Sequence, residues 1–523
     1  MKICYNVLKM NLSAQEIILL VITSISAVDF IIFSTLFIIY LVYIQYKSPS
    51  ISYKICSFFI LMFFIAFKTL HIPAFLANIS FFNINFPYSD ILLQILTWTN
   101  ILLAFFPILF AYITIFHKNK KIQDLPIFQK HVNIVMPIYN ETPEVLFNAI
   151  ESVLNLTYDS NSIHLFLGFD NDSLVPELNY LVDKFEITEL LPTFTEITVK
   201  NIKITICRFK HGGKKSVQNG VYDYIKSIYT TAFLDSSLLF FIDSDIRLDT
   251  NSLFLFNEYL FKNGKNAATG IISCITSEKL NFLSFYQDIE YISGQIFWRN
   301  MESYFGTTSC LPGAFTILKW TSFSNVADKY FAKTTYDDNF EYQRFYLGED
   351  RYLTHLLMEN EYFKIGFCES ARCKTDAPDT LSALLKQRKR WFLGHISNDT
   401  WLLSSFQLWK QYPLFTLFNF LNNSRNTSIY VYLLYFVLLF NKNLRFISWF
   451  LFVILPILFN WLFIIFYAFR LKRKMNIIFY IIIILFQPVL SMFFMYYTII
   501  HIHQQSWGGI RVEKQTNEFL TSS

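Results

Sequence analysis

Charged residues are scarce in this sequence. They make up 16% of the 523 residues, against about 25% in a typical soluble domain, while hydrophobic residues make up 53%. A water-soluble globule of this size cannot bury that much apolar surface, so we expect lipid to be a second solvent. The formal net charge of only +5 gives no case for nucleic acid as a partner.

Metal-binding cysteine pairs are also missing. The seven cysteines are scattered along the chain, and no pair has zinc-finger spacing. We therefore expect reduced thiols. Internal repeats and low-complexity linkers are absent from the sequence as well.

Long apolar runs lie towards the two ends of the chain. They predict N-terminal transmembrane helices within residues 1–121 and C-terminal transmembrane helices within residues 412–503, because a span needs about 20 residues. The candidate spans are Ile17–Tyr43, Ile55–Phe75, Ile91–Phe116, Tyr412–Phe440, Phe446–Phe469 and Met475–Ile500. The basic cluster at residues 117–121 indicates that the segment after it is cytoplasmic, while the topology of the C-terminal end stays open.

Residues 122–380 have the pattern of a soluble α/β domain. Short apolar strands alternate with helical stretches such as Pro143–Leu156, which predicts a mostly parallel sheet with helices on its faces. The predicted strands are Val132–Pro137, His164–Phe169, Ile202–Arg208 and Leu238–Ile242. Functional residues of such sheets collect past the carboxyl ends of the strands, and Asp170 and Asp243 stand at two of these ends.

The strongest local signal is Asp243-Ser244-Asp245, which follows a buried strand. Both carboxylates can reach one small cation, and Mg²⁺ or Mn²⁺ is suited by one or two carboxylates plus substrate phosphates. A diphosphate leaving group needs its charge neutralised in this way. An Asp-x-Asp by itself often marks only a solvated turn, so its place after the strand is what favours a metal site.

Three further motifs each have a functional and a simpler structural interpretation. Gly212–Ser216 brings glycine backbone and Lys214 to a phosphate or forms a basic surface turn, and its spacing is not that of a P-loop. Gly348–Arg351 supplies a general base or caps the helix that follows. Gln387–Trp391 has the basic residues of a membrane-surface face, and Trp391 either lies in an interfacial aromatic belt or stacks on the face of a sugar.

Taken together and in this order, the motifs resemble the processive family 2 glycosyltransferases. Val135–Glu141 is similar to the family's uridine-binding loop, Asp170–Ser173 to its second acidic loop, and Lys214 to the lysine of its Gly-Lys-Arg element. Other segments resemble chitin synthases within that family: Phe285–Tyr291, Cys310–Phe315, Gly348–Leu353, Gln387–Trp391 and Ser506–Arg511. Ile510 stands where the resembling segment has Thr, so a hydroxyl role there is in doubt.

This resemblance implies a GT-A-like α/β glycosyltransferase domain embedded in a multi-span α-helical membrane protein. It implies a cytosolic glycosyltransferase domain at residues 122–380, interfacial amphipathic helices at 381–411 and a tail at 504–523. The implied activity is processive, inverting transfer of N-acetylglucosamine from UDP-N-acetylglucosamine to the non-reducing end of a β-1,4-linked chitin chain. The enzyme would lie in the plasma membrane and extrude the chain through its own channel.

The resemblance also implies roles for individual residues. Asp350 would be the general base, positioned by Glu349 and Arg351, while Asp243 and Asp245 would hold Mg²⁺ or Mn²⁺. The implied donor-binding residues are Pro137, Tyr139, Asn140, Glu141, Asp170, Asp172, Lys214, Asp243, Ser244, Gln387, Arg390, Trp507 and Arg511. The implied acceptor and channel residues are Glu290, Leu311, Pro312, Gly313, Gln387, Arg388, Arg390 and Trp391. Whether Asp170 or Asp172 contacts the uracil is open.

Other functions stay open from the sequence alone. The same motifs serve hyaluronan- or cellulose-type synthases, whose donors differ. A transporter with a regulatory domain fits the apolar runs, although it does not explain the dense acidic motifs. The expected partners are the sugar nucleotide, the growing polymer and the bilayer; a homodimer is compatible with the sequence, but no segment identifies an interface.

Overall fold

The computed structural model describes residues 31–63 (except 33 and 49), 129–274, 282–332, 339–360, 363–378 and 380–425, with scattered positions among 109–113 and 458–502. The chain divides into two units, residues 1–108 with 399–499 and residues 109–398 with 500–523. The expected site residues from Pro137 to Trp391 all belong to the second unit. Trp507 and Arg511 lie outside the described residues.

The second unit is built on a mixed sheet of nine strands in the order β3-β4-β2-β1-β5-β8-β7-β9-β6. The strands are β1 (Val132–Ile138), β2 (Ile163–Phe169), β3 (Phe194–Val199), β4 (Ile202–Arg208), β5 (Leu238–Ile242), β6 (Arg247–Leu248), β7 (Ala267–Cys274), β8 (Phe315–Lys319) and β9 (Ile365–Thr375). Strands β4, β2, β1, β5, β7 and β9 run in one direction, and β3, β8 and β6 run in the other.

The parallel part of the sheet brings the expected donor loops to one edge. Strand β1 pairs in parallel with β2, where Ile138 is opposite Phe169, and with β5, where Val135 is opposite Phe241. All residues of β2 and β5 are buried, as expected for strands covered on both faces. Because parallel strands end at the same edge, the residues that follow β1, β2 and β5 meet there.

The sequence predicted this parallel part and missed the rest. The four predicted strands correspond to β1, β2, β4 and β5, with ends that agree to within about one residue. The alternation did not reveal that β8 lies antiparallel between β5 and β7, or that β6 pairs antiparallel with β9. Strand β9 carries Glu369, Arg372 and Lys374, and this polar composition hides a strand from a hydrophobicity pattern.

Helices of the second unit connect and cover the strands, and those after Ser404 belong to the first unit. They are α1 (Pro143–Leu154), α2 (Pro176–Lys184), α3 (Lys214–Ile228), α4 (Thr231–Asp235), α5 (Ser252–Lys262), α6 (Phe282–Ser293), α7 (Asn300–Tyr304), α8 (Trp320–Phe331), α9 (Asn339–Tyr342), α10 (Glu349–Glu359), α11 (Leu381–Ser404), α12 (Phe406–Gln411) and α13 (Pro413–Arg425). A 3₁₀ turn spans Ser160–Ser162, and π-helical segments span Gly294–Arg299 and Gln343–Leu347.

Three fully buried phenylalanines pack together in the part of the core next to the strand that ends before Asp243. Phe240 of β5, Phe256 of α5 and Phe315 of β8 lie with ring centroids 4.9 to 5.8 Å apart. Burying one such side chain contributes about 1.5–3 kcal/mol. The cluster therefore anchors the end of β5, from which Asp243 and Asp245 follow.

No helix among the described residues is both long and apolar enough to cross a membrane. Residues 31–47 (except 33) and 51–63 are helical. The predicted spans Ile91–Phe116 and Phe446–Phe469 lie outside the described residues apart from isolated positions, and the other four predicted spans are described only in part.

Candidate active site

The loop after β1 turns back towards the end of β5. Pro137 lies within β1, and Asn140 adopts a positive φ of 50°, a conformation that asparagine tolerates better than most residues. Beyond that turn, the Glu141 carboxylate accepts a hydrogen bond of 3.0 Å from the Ser244 hydroxyl. Tyr139 stacks on His211, with ring centroids 5.2 Å apart. The loop after β1 and the loop after β5 are therefore in contact.

Asp170 is buried and organises the glycine loop that precedes Lys214. Its carboxylate accepts hydrogen bonds from the backbone N–H of Gly212 at 2.8 Å and of Gly213 at 3.0 Å, and it pairs with Nδ1 of His211 at 3.0 Å. Gly213 has a φ of 86°, which favours glycine because other residues meet a Cβ clash there. The backbone donors that the sequence suggested for a phosphate thus point to Asp170 in this structure.

Asp172 has a different environment. Its side chain is exposed, and its carbonyl oxygen accepts a hydrogen bond from the Arg208 guanidinium. Of the two candidates for contacting the uracil, Asp170 is engaged with the glycine loop, whereas Asp172 is at the surface.

Lys214 joins the metal motif to the candidate base motif. Its Nζ lies 2.8 Å from Oδ1 of Asp243 and 3.4 Å from Oε1 of Glu349. Burial by itself would lower the pKa of Lys214, but the charges of Asp243 and Glu349 outweigh this and raise the pKa above its usual value. The lysine is therefore a buried, permanently charged ammonium between two carboxylates.

Gly313 lies directly against the same ammonium. A Cβ placed on Gly313 would be 2.9 Å from Nζ of Lys214, closer than real Cβ contacts come. Leu311 is fully buried, and the Pro312 carbonyl accepts hydrogen bonds from Phe315 N at 3.0 Å and from the Thr316 hydroxyl at 2.6 Å. The Leu-Pro-Gly loop therefore meets the Asp243–Lys214 pair.

Acidic side chains are crowded around the end of β5. Burial and the charge of Asp243 raise the pKa of Asp245 to about 7, although a hydrogen bond of 2.6 Å from the Thr375 hydroxyl opposes the shift. Burial raises the pKa of Glu141 as well, with the charges of Asp376 and Asp243 adding to it. This crowding of like charges is the environment that a divalent cation relieves.

The residues present fit a shared metal ion better than an all-protein metal cage. In the described ranges, no group of three or more histidine, cysteine or acidic side chains is arranged to hold a metal by itself. Asp243 and Asp245 supply two carboxylates, and substrate phosphates would supply further oxygens. That division of ligands is the one Mg²⁺ commonly has at phosphate-binding sites.

Asp350, the candidate base, is held at the start of α10 by neighbouring loops. Its Oδ2 accepts a hydrogen bond of 3.2 Å from the Cys310 thiol, and its Oδ1 accepts one of 2.8 Å from the backbone N–H of Arg351. The Thr354 hydroxyl donates to the Asp350 carbonyl at 2.7 Å and accepts from Leu311 N at 2.8 Å. Burial and the Asp350 charge raise the pKa of Cys310 to about 12, so the thiol keeps its proton and acts as a donor.

A buried polar network supports the loop from the other side. Glu302 accepts hydrogen bonds of 2.9 Å from Ser309 N and 3.0 Å from the Ser309 hydroxyl. Arg351 Nη1 donates to the Ser309 carbonyl at 3.5 Å, and the Arg299 guanidinium donates to the Cys310 carbonyl. Arg351 therefore positions Asp350 through residues 309 and 310 of the loop, in addition to its own backbone N–H.

The chain enters α10 through a close approach of two glycines. A Cβ on Gly348 would lie 2.8 Å from the Cα of Gly394 in α11 and 2.5 Å from Nδ2 of Asn398, so only glycine fits there. Asn398 Nδ2 donates to the Gly348 carbonyl at 3.2 Å. Burial raises the pKa of Glu349, and the Asp350 charge adds to this, while Lys214 and Arg390 oppose it.

The Gln387–Trp391 motif lies in α11. Arg388 is buried, donates to the Glu290 carboxylate and to Gln387 Oε1, and lies 4.2 Å from the ring centroid of Trp391. The charge of Arg390 acts on both Lys214 and Glu349, so this arginine is near the charged cluster. Arg388 is therefore buried and does not belong to a solvated surface that faces the membrane. Its contact with Glu290 joins two of the expected acceptor residues.

Several residues of the site were missed by the sequence analysis. Glu302, Arg299, Thr375 and Asn398 all contact the expected residues or the segments that carry them. The local sequence gives no signal for them; Glu302, for example, stands in the polar stretch Arg299–Ser303. Their partners lie up to 130 residues away along the chain, so no local spacing identifies them.

Comparison with known proteins gives a family for more than half of the chain. A family profile described as chitin synthase matches residues 216–520. The chain is 40% identical over 319 residues to Chitin synthase D of Aspergillus fumigatus, which covers 58% of this chain and 42% of that protein. It is 35% identical over 411 residues to Chitin synthase VI of Metarhizium acridum, covering 75% of this chain and 64% of that protein.

A solved structure is also similar, at a lower level. The mannosyltransferase PcManGT from Pyrobaculum calidifontis, in complex with GDP-Man and Mn²⁺, shares 11% identity with a TM-score of 0.44, covering 79% of this chain and 100% of that one. Similarity at this level carries no inference about ligands. The chain spans between 42% and 64% of the length of the two fungal relatives above, and with more than half of its own length inside the family profile it belongs to the chitin synthase family.

Proposed function

We propose that this chain transfers N-acetylglucosamine from UDP-N-acetylglucosamine to the 4-hydroxyl at the non-reducing end of a growing β-1,4-linked chitin chain. Membership of the chitin synthase family supports the donor, the acceptor and the linkage. The site supports the reaction type, because an inverting transfer needs a diphosphate-binding group and a base for the acceptor hydroxyl in one place.

The observation that carries the proposal is the position of Lys214. One ammonium group contacts Asp243 of the metal motif at 2.8 Å and Glu349 at 3.4 Å, and Asp350 is the next residue after Glu349. In the proposed reaction, the Lys214 side chain thus connects Asp243, on the diphosphate, with the segment that carries the base Asp350. Gly313 of the Leu-Pro-Gly loop lies against the same nitrogen, so this loop belongs to the same cluster.

The proposed reaction assigns a task to each group. Asp350 accepts the proton of the acceptor 4-hydroxyl while that oxygen forms a bond to the anomeric carbon of the donor sugar. The bond from the anomeric carbon to the UDP oxygen breaks, the configuration inverts, and UDP leaves with the electron pair. Lys214 offsets negative charge on the diphosphate, and the Cys310 thiol and Arg351 N–H hold the Asp350 carboxylate in its orientation.

Asp243 and Asp245 are the residues that would hold Mg²⁺ or Mn²⁺. When bound, the ion would neutralise charge on the leaving diphosphate. The raised pKa of Asp245, about 7 through burial and the Asp243 charge, supports this assignment because a carboxylate in such surroundings gains from a nearby cation.

We also propose that the chain is a multi-pass membrane enzyme that extrudes its product, with boundaries as the sequence predicts. The support is compositional, since 53% of the residues are hydrophobic and 59 are phenylalanine. Hydroxyl-rich polymer cannot cross bare hydrocarbon, so synthesis next to a protein channel is physically reasonable. Product that forms inside sealed vesicles, and resists added chitinase until detergent is supplied, would support extrusion; product that is digested at once would contradict it.

The activity is tested with purified full-length protein and radiolabelled UDP-N-acetylglucosamine as sole donor. The expected product is insoluble, is digested by chitinase and requires Mg²⁺ or Mn²⁺. Asp350→Asn should lower the rate by about 10²–10⁴-fold, the usual contribution of a general base, with nearly unchanged UDP binding. Asp328→Asn is the matched control, since Asp328 is an exposed carboxylate of α8.

Each of three results would contradict the proposed function or one part of it. A product that forms only when UDP-glucuronic acid is also supplied would identify a hyaluronan-type synthase. A soluble or chitinase-resistant product would exclude chitin. A near-normal rate for Asp350→Asn would exclude Asp350 as the base, whatever the polymer.

A further inference from the structure

Lys215, the second residue of α3, places its ammonium group among four aromatic rings. Its Nζ lies 4.5 Å from the ring centroid of Tyr330, 5.3 Å from Tyr352, 5.4 Å from Tyr346 and 5.8 Å from Phe345. The same nitrogen donates a hydrogen bond of 3.3 Å to the Phe345 carbonyl. Cations are attracted to ring faces at these distances. The ammonium group therefore contacts α8, the π-helical segment Gln343–Leu347 and α10 at once.

Consecutive lysines thereby contact two different parts of the site. Lys214 contacts Asp243, which follows β5, and Lys215 contacts the segment that leads into α10. Successive side chains on a helix point about 100° apart, which explains the division. The first turn of α3 therefore connects the metal motif with the segment that carries Glu349 and Asp350.

The same segment is held by α11 as well. Asn398 Nδ2 donates to the Arg344 carbonyl and to the Gly348 carbonyl, each at 3.2 Å, and Gly348 lies against Gly394. The entry into α10 is thus fixed by two groups from separate elements. Of these two, Lys215 is the one that comes from the helix bearing Lys214.

We propose that Lys215 is a positioning residue for the transfer step: its ammonium group fixes the start of α10, and hence Glu349 and Asp350, relative to Lys214. The inference rests on the proposed function, because it gives Lys215 a task in that reaction. Lys215 acts through Glu349 and Asp350 and touches the carbonyl and rings of the segment before them.

The electrostatic surroundings of Lys215 support this role and make it testable by pH. Burial lowers the pKa of Lys215 to about 8, and the charge of Glu349 opposes the shift. Among the described residues, the other titratable groups beside it are Lys214 on its own helix, Tyr330 on α8, Tyr346 on the π-helical segment Gln343–Leu347 and Tyr352 on α10, whose ring also carries the Arg344 guanidinium. Burial raises the pKa of Tyr352 to about 12 and that of Tyr330 further still, so these two rings stay neutral while Lys215 loses its proton above pH 8.

The experiment compares Lys215→Met, which removes the charge at similar volume, with Lys215→Arg, which keeps a cation at all working pH values. Lys226→Met is the matched control, because Lys226 is an exposed residue in the last turn of α3 with its Nζ 5.3 Å from the Tyr222 ring. For each purified full-length variant, kcat, KM for UDP-N-acetylglucosamine, UDP affinity, thermal midpoint and the pH profile are measured.

We expect Lys215→Met to lower kcat about 10- to 100-fold, the usual effect of a misplaced catalytic group, with KM and UDP affinity within about threefold. Lys215→Arg should recover most of kcat, and the loss of its activity at alkaline pH should begin about one pH unit higher than in the unmodified enzyme. Lys226→Met should match the unmodified enzyme in every measurement.

Several outcomes would overturn the inference. One is a kcat for Lys215→Met equal to that of an active unmodified enzyme; another is Lys215→Arg as impaired as Lys215→Met. If Lys215→Met does not fold, the pH profile of Lys215→Arg tests the inference instead. A profile of activity against pH equal to that of the unmodified enzyme would contradict the positioning role of Lys215. An unmodified enzyme that transfers no sugar would instead remove the proposed function, so the two failures are distinguishable.

Discussion

Gly313→Ala tests directly whether the Leu-Pro-Gly loop and Lys214 act at one site. The added methyl group would lie 2.9 Å from Nζ and 3.6 Å from Cε of Lys214, and no other described heavy atom beyond the glycine's chain neighbours lies within 4 Å. Ordinary contacts begin at 3.4 Å. The ammonium group must therefore retreat by about 0.5 Å, while the backbone of the loop has room to stay where it is.

The size of the effect follows from the ion pair that the ammonium group makes. Lys214 Nζ lies 2.8 Å from Asp243 Oδ1, and lengthening this distance to about 3.3 Å weakens the attraction by about 0.9 kcal/mol at an effective dielectric constant of about 20. In a rate constant this is a factor of about 5. We therefore expect Gly313→Ala to lower kcat/KM about fivefold, with a thermal midpoint within about 2 °C of the unmodified protein.

Gly294→Ala provides the matched control for the radiolabel transfer assay. Gly294 is helical and a Cβ there would meet no described atom within 4 Å, so alanine should raise stability by about 0.5–1 kcal/mol through helix propensity without changing the rate. The reasoning fails if Gly313→Ala retains kcat/KM within about twofold. It also fails if its thermal midpoint drops sharply, because the damage would then be to the fold.

Three further predictions concern individual contacts. Asp245 has a pKa raised to about 7, so the folded protein binds a proton there that the unfolded chain releases near pH 4. Its stabilising effect is therefore complete below about pH 4 and is lost as the pH rises through 7. Asp245→Asn should raise the thermal midpoint of the metal-free protein, relative to the unmodified protein, more at pH 8 than at pH 4, and equal pH slopes for both proteins would contradict this. Cys310→Ala removes the donor to Asp350 and should lower kcat about fivefold, for one hydrogen bond of about 1 kcal/mol, whereas Cys310→Ser should recover it; equal rates for the two variants would show that the thiol proton is irrelevant. Asp170→Ala frees the Gly212 and Gly213 N–H groups and should weaken UDP binding about 3- to 10-fold, measured by titration calorimetry; unchanged affinity would separate that loop from the donor.

The local elements of the site were readable from the sequence because they depend on short-range patterns. Runs of apolar residues identified β1, β2, β4 and β5, and the polar residues after them identified the loops bearing Asp170 and Asp243. Parallel strands end at one edge of a sheet, so their convergence could be expected without coordinates. The helix after Gly348 was likewise predicted, and α10 begins at Glu349.

The contacts between distant segments were not readable in the same way. Nothing in the spacing of residues indicates that Lys215 reaches the Phe345 carbonyl, or that Thr375 donates to Asp245 across 130 positions. The sequence left Gly212 and Gly213 either as backbone that approaches a phosphate or as part of a surface turn, and the structure gives their N–H groups to Asp170. The sequence left Arg388 either as an acceptor residue or as part of a membrane-surface face, and only the structure showed that it is buried against Glu290.

What the sequence by itself determined is therefore the set of chemical groups and the strand ends or helix starts at which they stand. These follow from apolar periodicity and from turn chemistry, which act over a few residues. Only the tertiary structure decided which groups share a partner: one ammonium between Asp243 and Glu349, one thiol on Asp350, one lysine among four rings. Such pairings depend on how whole elements pack, and packing is settled by burial and shape over the entire domain.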